Sequence, residues 1–204
     1  MTDRYAVIGN PIGHSKSPLI HGSFACQTGQ DLVYEAIEAR PGGFEAAVDA
    51  FRAGGGRGMN VTMPFKLDAF AYATERMERA RVAGAANALR FEGARVLAEN
   101  FDGVGLANDI ERNLGRSIAG RRVLLMGAGG AVRGALPILL ERRPARLVVA
   151  NRTVAKATAL GKLYAAHREL AAGGYPDVGA QTFDIVIDAT SASLEGELAP
   201  VPPT

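Results

Sequence analysis

The stretch that most constrains this chain lies past its midpoint, where Val123-Leu-Leu-Met126 runs straight into Gly127-Ala-Gly-Gly-Ala131. A short apolar run ended by glycine reads as a buried strand, and the residues from about Ala131 to Glu141 read as a helix. A strand that turns through Gly-x-Gly into a helix is the phosphate-binding turn of a parallel sheet. The glycines permit a tight turn and close backbone approach to a pyrophosphate, while the helix start offers N–H groups and partial positive charge. Gly127, Ala128, Gly129, Gly130 and Ala131 are therefore the candidate cradle. Val132 stands where the general fingerprint has its third glycine, with Gly130 and Gly134 on either side. An ordinary glycine-rich βα turn shows the same local pattern; the strand before and the helix after are what point to a nucleotide.

The end of the next strand discriminates between cofactors. A carboxylate about 20 residues beyond the glycines would bond a ribose 2′-hydroxyl. Here that strand, Leu147–Ala150, ends in Asn151-Arg152-Thr153, with Lys156 one helical turn on. Arg152 and Lys156 are cations at a helix start, where they oppose the helix dipole. Arginine can grip a phosphate in a two-pronged fork. The pattern suits a 2′-phosphate and so NADP rather than NAD. Thr153 is placed to cap the helix read over Val154–Ala172, followed by a loop over Gly173–Gly179 and a third strand over Phe183–Ala189. The tail Pro200–Thr204 reads as irregular.

The first half alternates in the same manner. Tyr5–Ile8, Leu32–Ala36, Gly58–Thr62, Asn87–Phe91 and Arg95–Ala98 read as strands. Helices are read from Ser17-Pro18, as cap and first position, and over Phe44–Ala53, Phe65–Ala73 and Glu75–Ala83. Leu19, Ile20 and Phe24 form the apolar positions of the first helix. Strand and helix in alternation indicate parallel βαβ units. Gly103–Leu114 reads as a helix entering the second block, and Gly115–Arg122 as a polar hinge. The fold class expected is α/β, an N-terminal α/β substrate domain over 1–102 followed by a Rossmann-like dinucleotide-binding domain over 103–204.

Composition narrows the function classes. The chain has 204 residues, 23 basic and 21 acidic, for a net charge of +2. Residues 1–102 carry 11 basic and 12 acidic side chains, and 103–204 carry 12 and 9. No basic block marks a nucleic-acid or membrane surface, so neither partner is expected. The lean toward positive charge in the second half suits one phosphorylated ligand. The lone Cys26 permits no internal disulfide and fits a reducing, cytoplasmic setting. The beginning, Met1–Asn10, has too short an apolar run for a signal peptide, and no run is long enough to span a membrane. His14, His21 and His167 lack metal-site spacing and read as surface or packing residues, so no metal is expected.

Polar residues cluster where strands end, and in open α/β sheets ligands bind outside the carboxyl ends of strands. Gly9–Pro18 links the first strand to the first helix, Asn60–Lys66 ends the third strand, Gly84–Asn87 precedes another, and Glu99–Gly103 crosses into the second block. Such hydroxyls, amides, a lysine and an aspartate suit a small polyhydroxylated carboxylate. The chain holds 4 Lys against 19 Arg, which singles out Lys66, because a lysine can shuttle a proton where an arginine does not. Taken alone, Lys66 reads better as a solvated helix-start residue, and Ser15 and Ser17 as plain loop and cap residues.

Together these segments resemble shikimate dehydrogenase: Gly9–Pro18 (GNPIGHSKSP), Asn60–Lys66 (NVTMPFK), Gly84–Asn87, Asn100–Gly105 (NFDGVG), Gly127–Gly134 (GAGGAVRG), Asn151–Thr153 and Asp188–Ser191 (DATS), in family order over essentially the whole chain. The resemblance implies NADP-linked interconversion of 3-dehydroshikimate and shikimate. It implies that Ser15 and Ser17 hold the substrate carboxylate, and that Thr62, Asn87 and Asp102 bind its hydroxyls and reacting oxygen. Lys66 is the implied acid/base, paired with Asp102. Gly127–Ala131 hold the pyrophosphate, Asn151, Arg152, Thr153 and Lys156 the adenosine end, and Thr190 lies near the nicotinamide. The site is expected between the domains, with hinge closure excluding water.

Four departures accompany the resemblance. Phe101 stands where the family usually has Thr, Ala88 where it commonly has Thr, and Val132 where Ser is common. The family continues past the last strand seen here, so the chain is expected to lack a C-terminal segment. Two other readings are weighed: a quinate/shikimate dehydrogenase using NAD, and a nucleotide- or shikimate-binding module without turnover. A homodimer is compatible with the sequence, which does not itself specify an oligomeric state.

Overall fold

The computed structural model describes residues 2–179, 181–190 and 192. The chain divides into two compact units, Met1–Phe101 and Asp102–Thr204. In the first, the order is β1 (Asp3–Gly9), α1 (Ser17–Thr28), β2 (Leu32–Glu38), α2 (Phe44–Ala53), β3 (Gly56–Val61), α3 (Lys66–Tyr72), β4 (Glu75–Arg76), α4 (Glu78–Ala83), β5 (Ala88–Glu92) and β6 (Arg95–Glu99). The strands form one sheet ordered β2-β1-β3-β5-β6-β4. β1, β2 and β3 are parallel, as the alternation predicts. β5 instead runs antiparallel to both β3 and β6, which makes the sheet mixed. The cause is local: only two residues, around Gly93 at φ +60°, separate β5 from β6, too few for a crossover. Phe44, Val48, Phe51 and Phe65 pack with Ile8, Val61 and Val96 to form its core.

Several local expectations are corrected here. Glu75–Ala83 is a two-residue strand followed by a shorter helix, because Glu75 and Arg76 pair with Leu97 and Ala98. Ser17 is the first helical residue rather than the cap; Lys16 takes the cap position, and the Ser15 hydroxyl accepts the Ser17 N–H at 3.3 Å. The apolar positions of α1 face outward, with Leu19 at 70% and Phe24 at 54% exposure. The helix rests on the sheet unit through small or flat groups, the buried Ala25 and the His21 ring stacked on Tyr34.

The second unit contains α5 (Asp102–Asn108), a π-helical turn (Asp109–Asn113), β7 (Arg122–Met126), α6 (Gly130–Glu141), β8 (Arg146–Ala150), α7 (Val154–Leu163), β9 (Leu170–Gly173), α8 (Tyr175–Val178) and β10 (Ile185–Asp188). Its four strands are all parallel, ordered β10-β7-β8-β9. Both faces of the central strands are covered. Val123, Leu125, Leu147 and Val149 pack with Leu136 and Leu139, while Leu124, Met126, Val148 and Ala150 pack with Val178. Burial on both sides explains why these strands read as unbroken apolar runs.

The helix read over Val154–Ala172 ends at Leu163, and Leu170–Gly173 is a strand. The Ala-rich stretch has helical propensity, but pairing of Leu170–Gly173 with Leu147–Ala150 satisfies its backbone instead. The expected loop over Gly173–Gly179 contains α8, and the strand expected over Phe183–Ala189 spans Ile185–Asp188, the fourth strand of this sheet rather than the third. The helix expected over Gly103–Leu114 gives way after Asn108 to the π-helical turn. Thr153 sits at the α7 cap position without a side-chain cap bond. The stretch read as a polar hinge hides the fully buried Ile118. The tail Pro200–Thr204 and Ser191 lie outside the described residues. No helix among the described residues is long and apolar enough to cross a membrane.

Candidate functional site

In the first unit, β1 ends at Gly9 and β3 at Val61, and because they are parallel their following segments leave the same edge. Those segments are laced together: Thr62 N–H donates to Ile8 O at 2.9 Å, and Asn10 N–H donates to Met63 O at 2.9 Å. Gly9 makes this possible, since a Cβ there would stand 2.5 Å from Thr62 Cγ2. Ser15 and Ser17 follow on the way into α1. Phe65 N–H donates to Thr62 O at 3.0 Å, and Lys66 then opens α3.

The Lys66 carbonyl accepts the Ala86 N–H at 2.9 Å, which draws the Gly84–Asn87 turn alongside. Asn87 is held on three sides. Its N–H donates to Glu99 O at 3.0 Å, its carbonyl accepts the Val61 N–H at 2.8 Å, and its Oδ1 accepts the Phe101 N–H at 2.9 Å. The buried Asn100 Nδ2 donates to Ala85 O at 3.0 Å. The segments bearing Ser15, Ser17, Thr62, Lys66 and Asn87 thus gather at one sheet edge, all five residues half-buried. Phe101 is exposed, with the Arg79 guanidinium 4.9 Å from its ring centroid.

Asp102 is the first residue of the second unit and of α5, and is half-buried. Behind it, Gly103 lies where a Cβ would collide with the Gly134 carbonyl and Ile138 of α6. The glycine loop follows β7. Gly127 takes φ +110° and donates its N–H to Ala150 O at 2.8 Å; a Cβ there would meet Ala189 O at 2.9 Å. A Cβ on Gly129, by contrast, would point into open space. That room, just ahead of the first turn of α6, fits a pyrophosphate. Val132, in place of a polar residue, is fully buried beneath the loop.

After β8, Asn151 N–H donates to Gly173 O at 3.1 Å and its Nδ2 to Thr153 O at 3.0 Å, while Arg152, Thr153 and Lys156 are exposed. The exposed cations fit a 2′-phosphate, and no carboxylate stands among residues 151–156. After β10, the Thr190 N–H and hydroxyl both donate to Asp188 Oδ1, at 2.9 and 2.7 Å. Tyr175 lies within electrostatic reach of both Asp188 and Arg152. Burial and the Asp188 charge push its phenol up, and Arg152 pulls it down. The candidate cofactor segments therefore share the carboxyl edge of the parallel sheet. No group of three or more His, Cys, Asp or Glu among the described residues could hold a metal ion.

Two features went unread in the sequence. Tyr34, in β2, donates to Asn60 Oδ1 at 2.6 Å across the sheet, a link no local pattern signals. Gly103 stands in the Asn100–Gly105 motif, but its need for glycine arises from a helix 30 residues away.

Comparison with known proteins covers both units. A family model described as the shikimate dehydrogenase substrate binding domain matches residues 7–89, and one described as shikimate / quinate 5-dehydrogenase matches residues 108–195. A shikimate dehydrogenase (NADP(+)) of Chromobacterium violaceum is 55% identical over 202 residues, 99% of this chain and 74% of its own length. One from Herminiimonas arsenicoxydans is 56% identical over 203 residues, again covering 74% of that protein. Among solved structures, an Ael1 enzyme from Pseudomonas putida is 57% identical with a TM-score of 0.87, covering 98% of this chain and 74% of that one. Shikimate 5-dehydrogenase from Thermus thermophilus, solved with NADP(H) and shikimate, is 28% identical with a TM-score of 0.86 over 98% of this chain and 74% of that one.

Proposed function

The chain belongs to the shikimate dehydrogenase family, and from that premise we propose that it reversibly reduces 3-dehydroshikimate to shikimate, with NADPH as hydride donor and NADP+ as acceptor in the reverse direction. The observation that carries the reading is the co-occurrence, in one chain, of the Ser15–Ser17, Thr62–Lys66 and Asn87 segments at one sheet edge with a glycine loop and an Arg152–Lys156 cation pair at another. We assign 1–102 to substrate binding and catalysis and 103–204 to the nucleotide.

Ser15 and Ser17 present hydroxyls to the substrate carboxylate. Thr62, Asn87 and Asp102 take its ring oxygens. The oxygen at the reacting carbon gains negative charge as the ketone is reduced, and the Lys66 ammonium stabilises that charge and delivers the proton. In oxidation Lys66 accepts the same proton, with the Asp102 carboxylate orienting it. Gly127, Ala128, Gly129, Gly130 and Ala131 would hold the pyrophosphate, Asn151, Arg152, Thr153 and Lys156 the adenosine 2′-phosphate, and Thr190 the nicotinamide end. NADP, when bound, supplies the hydride transfer. The substrate is a small molecule; neither nucleic acid nor membrane takes part, and the cytoplasm is the proposed setting.

The test is shikimate oxidation followed at the reduced-cofactor absorbance, with NADP and NAD side by side. Turnover with a clear preference for NADP is expected. Arg152→Ala should raise the NADP KM about tenfold to a hundredfold, the worth of a charge-assisted phosphate contact, and leave the NAD KM unchanged. Shikimate binding without turnover, or equal use of both cofactors by the unaltered chain, overturns the reading.

A further inference from the structure

Tyr34 belongs to the edge strand β2, with β1 between it and β3, yet its hydroxyl reaches Asn60 Oδ1 at 2.6 Å. The ring is fixed from the other side by His21 of α1, which lies flat on it with centroids 4.2 Å apart and planes within 5°. Burial pushes the Tyr34 phenol up to about 12, so it stays a protonated donor through the neutral range. A donor held against one end of an amide decides which way the amide points. With Oδ1 engaged, Asn60 Nδ2 turns toward the Asn87 carbonyl, a long contact at 3.5 Å. The same carbonyl accepts the Val61 N–H, and Asn87 Oδ1 accepts the Phe101 N–H. A run of hydrogen bonds therefore leads from Tyr34 through Asn60 and Asn87 to the backbone that precedes Asp102.

We infer that Tyr34 is a positioning residue, acting through Asn60 to fix the orientation of Asn87 and of the Phe101 backbone. Its partners described above, Asn60 and His21, are not among the groups assigned to the reaction. Its hydroxyl sets the amide that braces β3 against the start of β5, where a substrate-binding side chain emerges. The structural part of the inference stands on the geometry alone, and its kinetic consequence rests on the proposed function.

Tyr34→Phe keeps the ring and its stack on His21 and removes only the hydroxyl. Amide hydrogen exchange by NMR should show the Phe101 N–H exchanging about three- to tenfold faster, the range expected for loss of one net hydrogen bond. The Ala6 N–H in β1 and the Leu125 N–H in β7 should be unchanged. The shikimate KM should rise by a similar factor, with the NADP KM unmoved. In an Asn60→Ala background, Tyr34→Phe should add nothing further at Phe101. Unchanged exchange at Phe101, or an equal effect of Tyr34→Phe with and without Asn60, overturns the inference. If the unaltered chain turns over no shikimate, the functional reading fails while the exchange measurement still decides the role of Tyr34.

Discussion

Around Asn87 the first unit adds side-chain contacts to the backbone that holds its candidate ligand groups, whereas at the glycine loop the second unit relies on backbone conformation. Asn87 is pinned by its own amide oxygen, Asn60 by a tyrosine two strands away, and Asn100 by a buried amide contact. Around the glycine loop the determining features are instead a φ of +110°, a carbonyl close to Gly127, and open space at Gly129. A polyol carboxylate must be told from its relatives, and discrimination comes from polar side chains left unpaired by the wrong substrate. A pyrophosphate needs only room, N–H groups and a helix end. The difference teaches where replacements should hurt: chemistry in the first unit, conformation in the second.

Lys66→Ala should break that contrast most sharply. Loss of a positioned proton donor lowers turnover by about 10²- to 10⁴-fold, with smaller losses in shikimate and NADP binding, read from steady-state kinetics. Equal rates for variant and parent would remove the first unit's claim to the chemistry.

The paired substitutions Gly127→Ala and Gly129→Ala come next. At Gly127 a side chain must adopt a left-handed backbone and stand 2.9 Å from Ala189 O, so the fold should lose about 1–3 kcal/mol, seen as a lower Tm. Gly129→Ala should leave Tm unchanged and raise the NADP KM, because its Cβ would fill the room assigned to the pyrophosphate. A reversed pattern would mean that the loop's glycines are not divided between shape and ligand.

The smallest effect concerns Asp184, which joins the start of β10 to β7. Hydrogen bonds from the Arg122 side chain and N–H hold its carboxyl well down, at about 2. A lowered carboxyl stabilises the fold above its unfolded pKa and loses that contribution as pH falls through the folded value. Asp184→Asn should therefore lower Tm slightly near neutrality, with the difference fading between about pH 4 and pH 2. A difference that persists below pH 2 would assign the effect to shape rather than charge.

Much of this was legible in residue order. The strands flanking the glycine loop and α2 carry apolar patterns strong enough to place them closely, and the polar strand ends picked out the segments that share an edge. The failures fall into two kinds. Leu170–Gly173 looks helical by composition because its partner, β8, lies 20 residues upstream. The apolar stripe on α1 suggests a buried face, yet the helix sits on Ala25 and a stacked His21. β5 and β6 were found, but their direction depends on a two-residue turn rather than on their own pattern. Tyr34 stayed hidden because its role depends on sheet order. The strand over Leu170–Gly173, the α1 packing and Tyr34 depend on contacts distant in sequence, whereas the β5–β6 direction and the Ser17 cap were misread from local sequence.

The bare backbone at Gly103 carries a last implication. It lets the first turn of α5 settle directly on α6, the helix that begins within the glycine loop. Asp102 is thereby anchored to the helix that begins at the proposed phosphate cradle. If that helix shifted, the tight packing at Gly103 would carry Asp102 with it, so the alignment of the proposed carboxylate and cradle would be inherited from packing within one unit.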